Sequence, residues 1–131
     1  GEYVATAQSD RMGMRLEGPA LAHRTPASAD IVSDGVTPGA IQVPGNGQPI
    51  ILLADCQTVG GYPKIATVIS ADLPRLAQRK PGEALRFRVV DAAEAKAALL
   101  ELESRWRVWA ETIVLDAPVD GTDDDAAWAA I

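Results

Sequence analysis

Residues 41–62, IQVPGNGQPIILLADCQTVGGY, constrain the fold of this chain more than any other stretch. Ile41–Val43 is short and apolar. Pro44-Gly45-Asn46-Gly47 is dense turn chemistry, because Gly and Asn reach positive φ cheaply and Pro presets φ. Ile50–Ala54 is a continuous apolar run, too short for a typical helix, and predicts a buried strand. Polarity then returns at Asp55, Gln57 and Thr58. Gly60-Gly61 lets the backbone approach a ligand or another strand closely. Tyr62 adds a flat apolar ring with a polar tip. Binding sites are often built on polar, glycine-rich loops that follow a buried strand.

The flanking segments read as further strands and one long helix. Tyr3–Ala5 is a candidate strand. In Arg11–Glu17, Met12, Met14 and Leu16 alternate with Arg11, Arg15 and Glu17, with Gly13 between the arginines. That is strand periodicity, and the glycine is a candidate bulge. Gly18-Pro19 ends it. Residues 22–39 read as loop with short extended pieces. Residues 66–69 form another buried strand. Ser70 or Asp72 caps a short helix reaching Gln78, with Pro74 in its first turn. Residues 84–90 alternate Leu85, Phe87 and Val89 with Arg86 and Arg88, a half-buried strand with a basic outer face. Asp91 and Glu94 form a capping-box pattern that opens a helix from residue 92 to about residue 112. Ala95, Ala98, Leu99, Leu102, Trp106, Trp109 and Ile113 recur on one face, which predicts packing against the sheet. Glu101 with Arg105, and Glu103 with Arg107, are i,i+4 pairs expected on the wet side. The sum is a mostly β fold with a C-terminal helix.

At 131 residues, 47% of them hydrophobic, the chain is long enough to bury one core without disulfides or metals. No apolar run has the length of a membrane span. No basic segment precedes an apolar one at the start, so no signal peptide is expected. The net charge of −6 is uneven. Asp116, Asp120, Asp123, Asp124 and Asp125 sit in the last 16 residues without a base, while residues 1–115 hold the other 13 acids against all 12 bases. Residues 116–131 are expected to form a solvated acidic tail, with Trp128 as the one residue suited to docking. A nearly neutral body argues against sequence-independent nucleic-acid binding, which needs a basic footprint. The single cysteine, Cys56, cannot form an internal disulfide, which suits a reducing cytoplasm.

Two constellations carry candidate chemistry. Ser9, Asp10, Arg11 and Arg15 place two guanidinium forks four residues apart in a strand, on one face, suited to a carboxylate or phosphate. The plainer reading is ion pairing with Asp10 or Glu17. Gln57, Thr58, Gly60, Gly61 and Tyr62 combine amide and hydroxyl groups with exposed backbone N–H groups that can stabilise an oxyanion. The plainer reading is a tight turn. His23 and Cys56 show no spacing that suggests contact, and one His with one Cys does not make a zinc site. No phosphate-loop motif is present.

The segments SDRMGMRLEGP (Ser9–Pro19), SDGVTPGAIQVPGNGQPIILLADCQTVGGYPKIATVISADLPRLAQ (Ser33–Gln78) and PGEALRF (Pro81–Phe87) occur in an order that carries a resemblance. Together they resemble the C-terminal half of the family of C-type 5-oxoprolinase subunits, also called allophanate hydrolase subunit 2. That family is related to the carboxyltransferase part of urea amidolyase. The resemblance covers roughly Tyr3 to Val114. Family members are considerably longer, so the chain is expected to be a truncated or separately expressed C-terminal lobe. The surface facing the missing N-terminal lobe is then expected to be apolar, or covered by a second copy.

The resemblance implies a cyclophilin-like β-barrel lobe with a C-terminal helix over residues 1–115. It implies a multi-subunit, ATP-dependent hydrolase opening the cyclic amide 5-oxoproline to glutamate, with ATP as cofactor of the complete complex. The urea branch implies instead carboxyl transfer from carboxybiotin to urea, and biotin enters only there. A rival of another class is a regulatory module that antagonises a histidine-kinase inhibitor by protein association. A peptidyl-prolyl isomerase follows from fold analogy alone. The implied partners are the N-terminal lobe, further subunits and a small amide substrate, with no nucleic acid and no membrane. The motif SDR-x-G-x-R supports Arg11 and Arg15, which join Gln57, Thr58, Gly60, Gly61 and Tyr62 as the expected substrate-binding set. At least three of Arg11, Arg15, Gln57, Thr58 and Tyr62 are expected to line one cleft. No residue stands out as a proton-transfer base, so the isolated lobe is expected to be inactive.

Overall fold

β1 (Glu2–Ala5) and β2 (Gly13–Glu17) pair antiparallel, and their alternation decides which face is core. Tyr3, Ala5, Met14 and Leu16 point inward and are buried, whereas Val4, Arg15 and Glu17 stay exposed. A computed structural model describes residues 1–113 of the chain. The expected acidic tail and Trp128 lie outside the described residues.

β3 (Asp34–Gly35), β4 (Ala40–Gln42), β5 (Ile50–Leu52), β6 (Val59–Gly60), β7 (Lys64–Thr67) and β8 (Ala84–Arg86) follow in chain order. Six strands make one curled antiparallel sheet in the order β7-β4-β5-β2-β1-β8, a half-barrel. β3 and β6 form a separate two-stranded ribbon. The core is Tyr3, Ala5, Met14, Leu16, Ile41, Ile51 and Leu76, with Leu53, Val68 and Leu85 packed against it. Ile51 stands at its centre, in register with Met14 on β2 and Ile41 on β4. β4 is buried on both faces, and this includes the polar Gln42.

The turn between β4 and β5 is closed by a hydrogen bond from the Gly47 N–H to the Pro44 carbonyl, 2.9 Å. Gly47 has φ 74°, and a Cβ there would meet the Leu21 carbonyl oxygen at 2.6 Å. Gly47→Ala is therefore expected to lower stability by on the order of 2 kcal/mol or more, measured by urea unfolding. An unchanged midpoint would show that this turn relaxes without cost.

The short helix is present as a 3-10 turn (Ser70–Asp72) running into α1 (Leu73–Ala77), with Pro74 in the first turn. α2 spans Ala92–Thr112 and is capped by the Asp91 carboxylate, which accepts from the Glu94 N–H at 2.8 Å. The return half of the capping box is not made, because the Glu94 carboxylate accepts from Arg88 instead.

Two expectations need correction. The strand over 84–90 stops at Arg86, and Val89 is 96% exposed. Phe87 packs edge-on to Tyr3, at a centroid distance of 5.9 Å, from a position beyond the strand. The apolar face of α2 is only partly packed. Ala95, Ala98, Leu99 and Leu102 are half-buried, but Trp106, Trp109 and Ile113 are at least half exposed. Among the described elements, α2 packs closely against the 3-10 turn Ser70–Asp72 alone, so its second half runs clear of the sheet. The intrahelical pairs Glu101–Arg105 and Glu103–Arg107 are not among the ion pairs of the described residues.

Candidate functional site

Arg15 faces outward because its neighbours Met14 and Leu16 occupy the core. Its backbone is pinned on both sides. The Arg15 N–H donates to Ser9 Oγ at 3.0 Å, and the Arg15 carbonyl accepts from the Thr6 N–H at 2.9 Å. Asp10 is used in the same way, since its Oδ1 accepts from the N–H groups of Met12 and Gly13 at 2.9 and 3.0 Å. Ser9 and Asp10 therefore shape the loop and leave the arginine to meet a ligand. The Arg15 guanidinium is in no ion pair among the described residues.

That side chain opens onto a cleft of ≈ 660 Å³. The β1–β2 loop contributes Thr6 and Gln8, and the outer face of β2 contributes Arg15 and Glu17. The β4–β5 turn contributes Asn46 and Gln48, and Tyr62 closes the set. Gln48 also ties the turn to the end of β2. Its Oε1 accepts from the Gly18 N–H at 3.0 Å, and its Nε2 donates to the Gly18 carbonyl at 3.1 Å. One cation, one carboxylate and several neutral donors and acceptors thus surround an open volume. Thr6 Oγ1 is buried without a hydrogen-bond partner beside it.

Tyr62 reaches the cleft from the chain that leaves the ribbon. A Cβ on Gly60 would meet Gln42 Nε2 at 2.7 Å, so glycine lets the ribbon lie close over the buried amide. Gln42 Nε2 is 3.5 Å from the Tyr62 carbonyl, to which it donates. The Gly61 carbonyl accepts from the Ile31 N–H at 2.8 Å. The Lys64 ammonium donates to the Asp34 carboxylate and to the Gly35 carbonyl, fastening the ribbon to β7. That hydrogen bond, then the one from the Gly35 N–H and the Lys64 charge, hold the Asp34 carboxyl below its ordinary value.

The expected set is divided. Arg15 and Tyr62 share the large cleft. Arg11 opens onto a different, largely apolar depression of ≈ 350 Å³ with Pro38, Leu53, Ala54, Asp55, Leu73 and Ala77. Its guanidinium pairs with Asp55 at 2.8 Å, not with Asp10 or Glu17. Gln57 and Thr58 are exposed and line neither volume. The shared cleft of three expected residues is therefore not formed, and two of them meet. The cause is local. Carbonyls of the consecutive residues Arg11 and Met12 accept from the alternate N–H groups of Asp55 and Leu53. That irregularity breaks the pleat, and Arg11 leaves the face that Arg15 keeps.

Gln8, Glu17, Asn46 and Gln48 are the cleft residues that sequence reasoning missed. Asn46 and Gln48 sat inside the recognised turn, and a polar pair beside a buried strand was the signal to use. His23 is occupied by the Pro44 carbonyl, 2.9 Å from its Nε2, and Cys56 is a free, half-buried thiol. Among the described residues, no group of three His, Cys, Asp or Glu side chains comes together, and no helix is long and apolar enough to cross a membrane. One arginine beside a glutamate is a poor match for a triphosphate, so the cleft does not fit ATP.

The curled antiparallel sheet and its capping ribbon define the class, a β lobe of the kind found in carboxyltransferase domains. The solved urea carboxylase of Kluyveromyces lactis shares this fold with a TM-score of 0.76, at 22% identity over 90% of this chain and 11% of that one. The chain belongs to the family described as carboxyltransferase domain, subdomain A and B, which matches residues 1–89. It is similar to the C-type 5-oxoprolinase subunit of Haemophilus influenzae, 48% identical over 72% of this chain and 30% of the relative. It is also 46% identical to the C-type 5-oxoprolinase subunit of Escherichia coli, over 71% of this chain and 29% of that relative. The chain thus spans under a third of the length of these relatives.

Proposed function

We propose that this chain is one lobe of a C-type 5-oxoprolinase subunit, working with partner subunits in the cytoplasm. The activity of that assembly is ATP-dependent opening of 5-oxoproline to glutamate. The identity of 48% to a protein of that name carries the reading. The cleft supplies its chemistry. Arg15 offers a fork to the substrate carboxylate. Glu17, two residues on and on the same face of β2, accepts the lactam N–H. Gln8, Asn46 and Tyr62 supply neutral hydrogen bonds to the carbonyl. Gln57, Thr58, Gly60 and Gly61 act by shaping the loop that presents Tyr62. Arg11 acts at the neighbouring depression. ATP is handled by the remainder of the assembly, because the cleft offers no phosphate cradle.

The second reading is a urea-type, biotin-dependent carboxyltransferase lobe, favoured by the shared fold of the urea carboxylase. The deciding assay uses the full-length protein with its partners and follows ATP cleavage with 5-oxoproline or urea as the amide. Cleavage that depends on 5-oxoproline and releases glutamate supports the first reading. Urea-dependent carboxylation that requires biotin replaces it with the second.

A further inference from the structure

α2 lies beyond the part of the chain matched by the family, residues 1–89. Its apolar residues Ala95, Leu99, Leu102, Trp106, Trp109 and Ile113 are spaced 4-3-4-3-4, the spacing of a coiled-coil seam. The second half of that seam is open. Trp106 is 55% exposed and Trp109 59%, and the two rings touch only each other, edge to face at 5.7 Å. The half-buried Leu99 and Leu102 retain part of their surface beside the 3-10 turn.

We propose that this face is an antiparallel homodimer interface, in which α2 of one copy pairs with α2 of another about a two-fold axis level with Ser104. The spacing reads the same in both directions about that point. Leu102 then meets Trp106 of the second copy, Leu99 meets Trp109, and Ala95 meets Ile113. Each large side chain opposes a smaller one, as close packing requires. This register engages all six residues of the seam.

The charges select the same arrangement. Glu101 and Arg105 flank one edge of the seam, and Glu103 and Arg107 the other. All four are exposed and in no ion pair among the described residues. In the antiparallel register each Glu lies two residues along the axis, ~3 Å, from an Arg of the second copy on the same edge. The surface is self-complementary, as a two-fold interface demands. A parallel pairing in register brings Trp106 against Trp106 and sets Arg105 beside Ala110, so it uses none of these charges.

Sedimentation equilibrium on the 131-residue chain tests this. The expected particle has twice the 13.8 kDa mass of one chain. Trp106→Ala should reduce it to a monomer. Glu101→Arg with Glu103→Arg leaves only positive charge on both edges, and Arg105→Glu with Arg107→Glu leaves only negative charge. Each pair of changes should weaken self-association by at least about tenfold. An equimolar mixture of the two variants should recover a heterodimer. Far-UV circular dichroism confirms that each variant keeps its helix. A native chain that stays monomeric up to roughly 100 µM overturns the proposal, as it would if the face served the rest of a larger protein. So does a charge-reversed variant that associates as tightly as the native chain, or a mixture that forms no heterodimer.

Discussion

Arg15→Ala in the full-length protein, assayed with its partner subunits, is expected to cut 5-oxoproline turnover by at least about tenfold and to raise KM. Removing the charged partner of a bound carboxylate costs on the order of 2–5 kcal/mol. The low end applies here because Arg15 is exposed. The fold should be untouched, because Ser9 and Thr6 hold the backbone of Arg15 and not its guanidinium. Arg11→Ala is the control. It breaks an exposed pair with Asp55, which is worth about 0–1 kcal/mol, and should change turnover by less than about threefold. If Arg15→Ala is folded and fully active, the large cleft is not the substrate site. If Arg11→Ala is the damaging change, the apolar depression beside it takes that role.

Ile51→Ala should cost about 2–5 kcal/mol of unfolding free energy, read from urea denaturation of the isolated chain. Ile51 is 0% exposed and stands between Met14 and Ile41 on the neighbouring strands. Three strands would line the resulting cavity, and a sheet held in register by two ladders cannot collapse to fill it. Ile50→Ala, one residue earlier and half-buried on the other face, should cost about half as much or less. Equal costs at the two positions would mean that the face assigned to the core is wrong.

The strands were legible where alternation and length are local properties. Met14 and Leu16 against Arg15 and Glu17 mark an inner and an outer face without knowledge of the partner strand. Ile50–Leu52 is apolar on both faces, and the structure covers both. The helix bounds followed from the Asp91 cap and the 3.6-residue period, and α2 runs over Ala92–Thr112 as expected. Residues 84–90 were less legible. Their alternation continues past Arg86, but β1 offers partners only as far as Glu2, opposite Arg86. A strand without a partner leaves its backbone groups unpaired, so the ladder ends with its neighbour.

The candidate site divides along the same line. The residue types came from the sequence, since a guanidinium, two amides and a tyrosine in glycine-rich turns are visible there. Their grouping did not. Arg11 and Arg15 read as one face because the pleat was extended through Met12, where Asp10 in fact draws the backbone into a turn. Gln57 and Thr58 are near Tyr62 in the chain but outside its cleft, because the ribbon folds over Gln42 and carries Tyr62 toward β2. By itself, the sequence determined the strands, the long helix and the inward face of the sheet, because periodicity and capping act within a few residues. Tertiary structure alone decided which polar side chains share a cleft and which half of α2 stays uncovered. Those outcomes depend on strand register and on contacts between segments far apart in the chain, which no local pattern encodes.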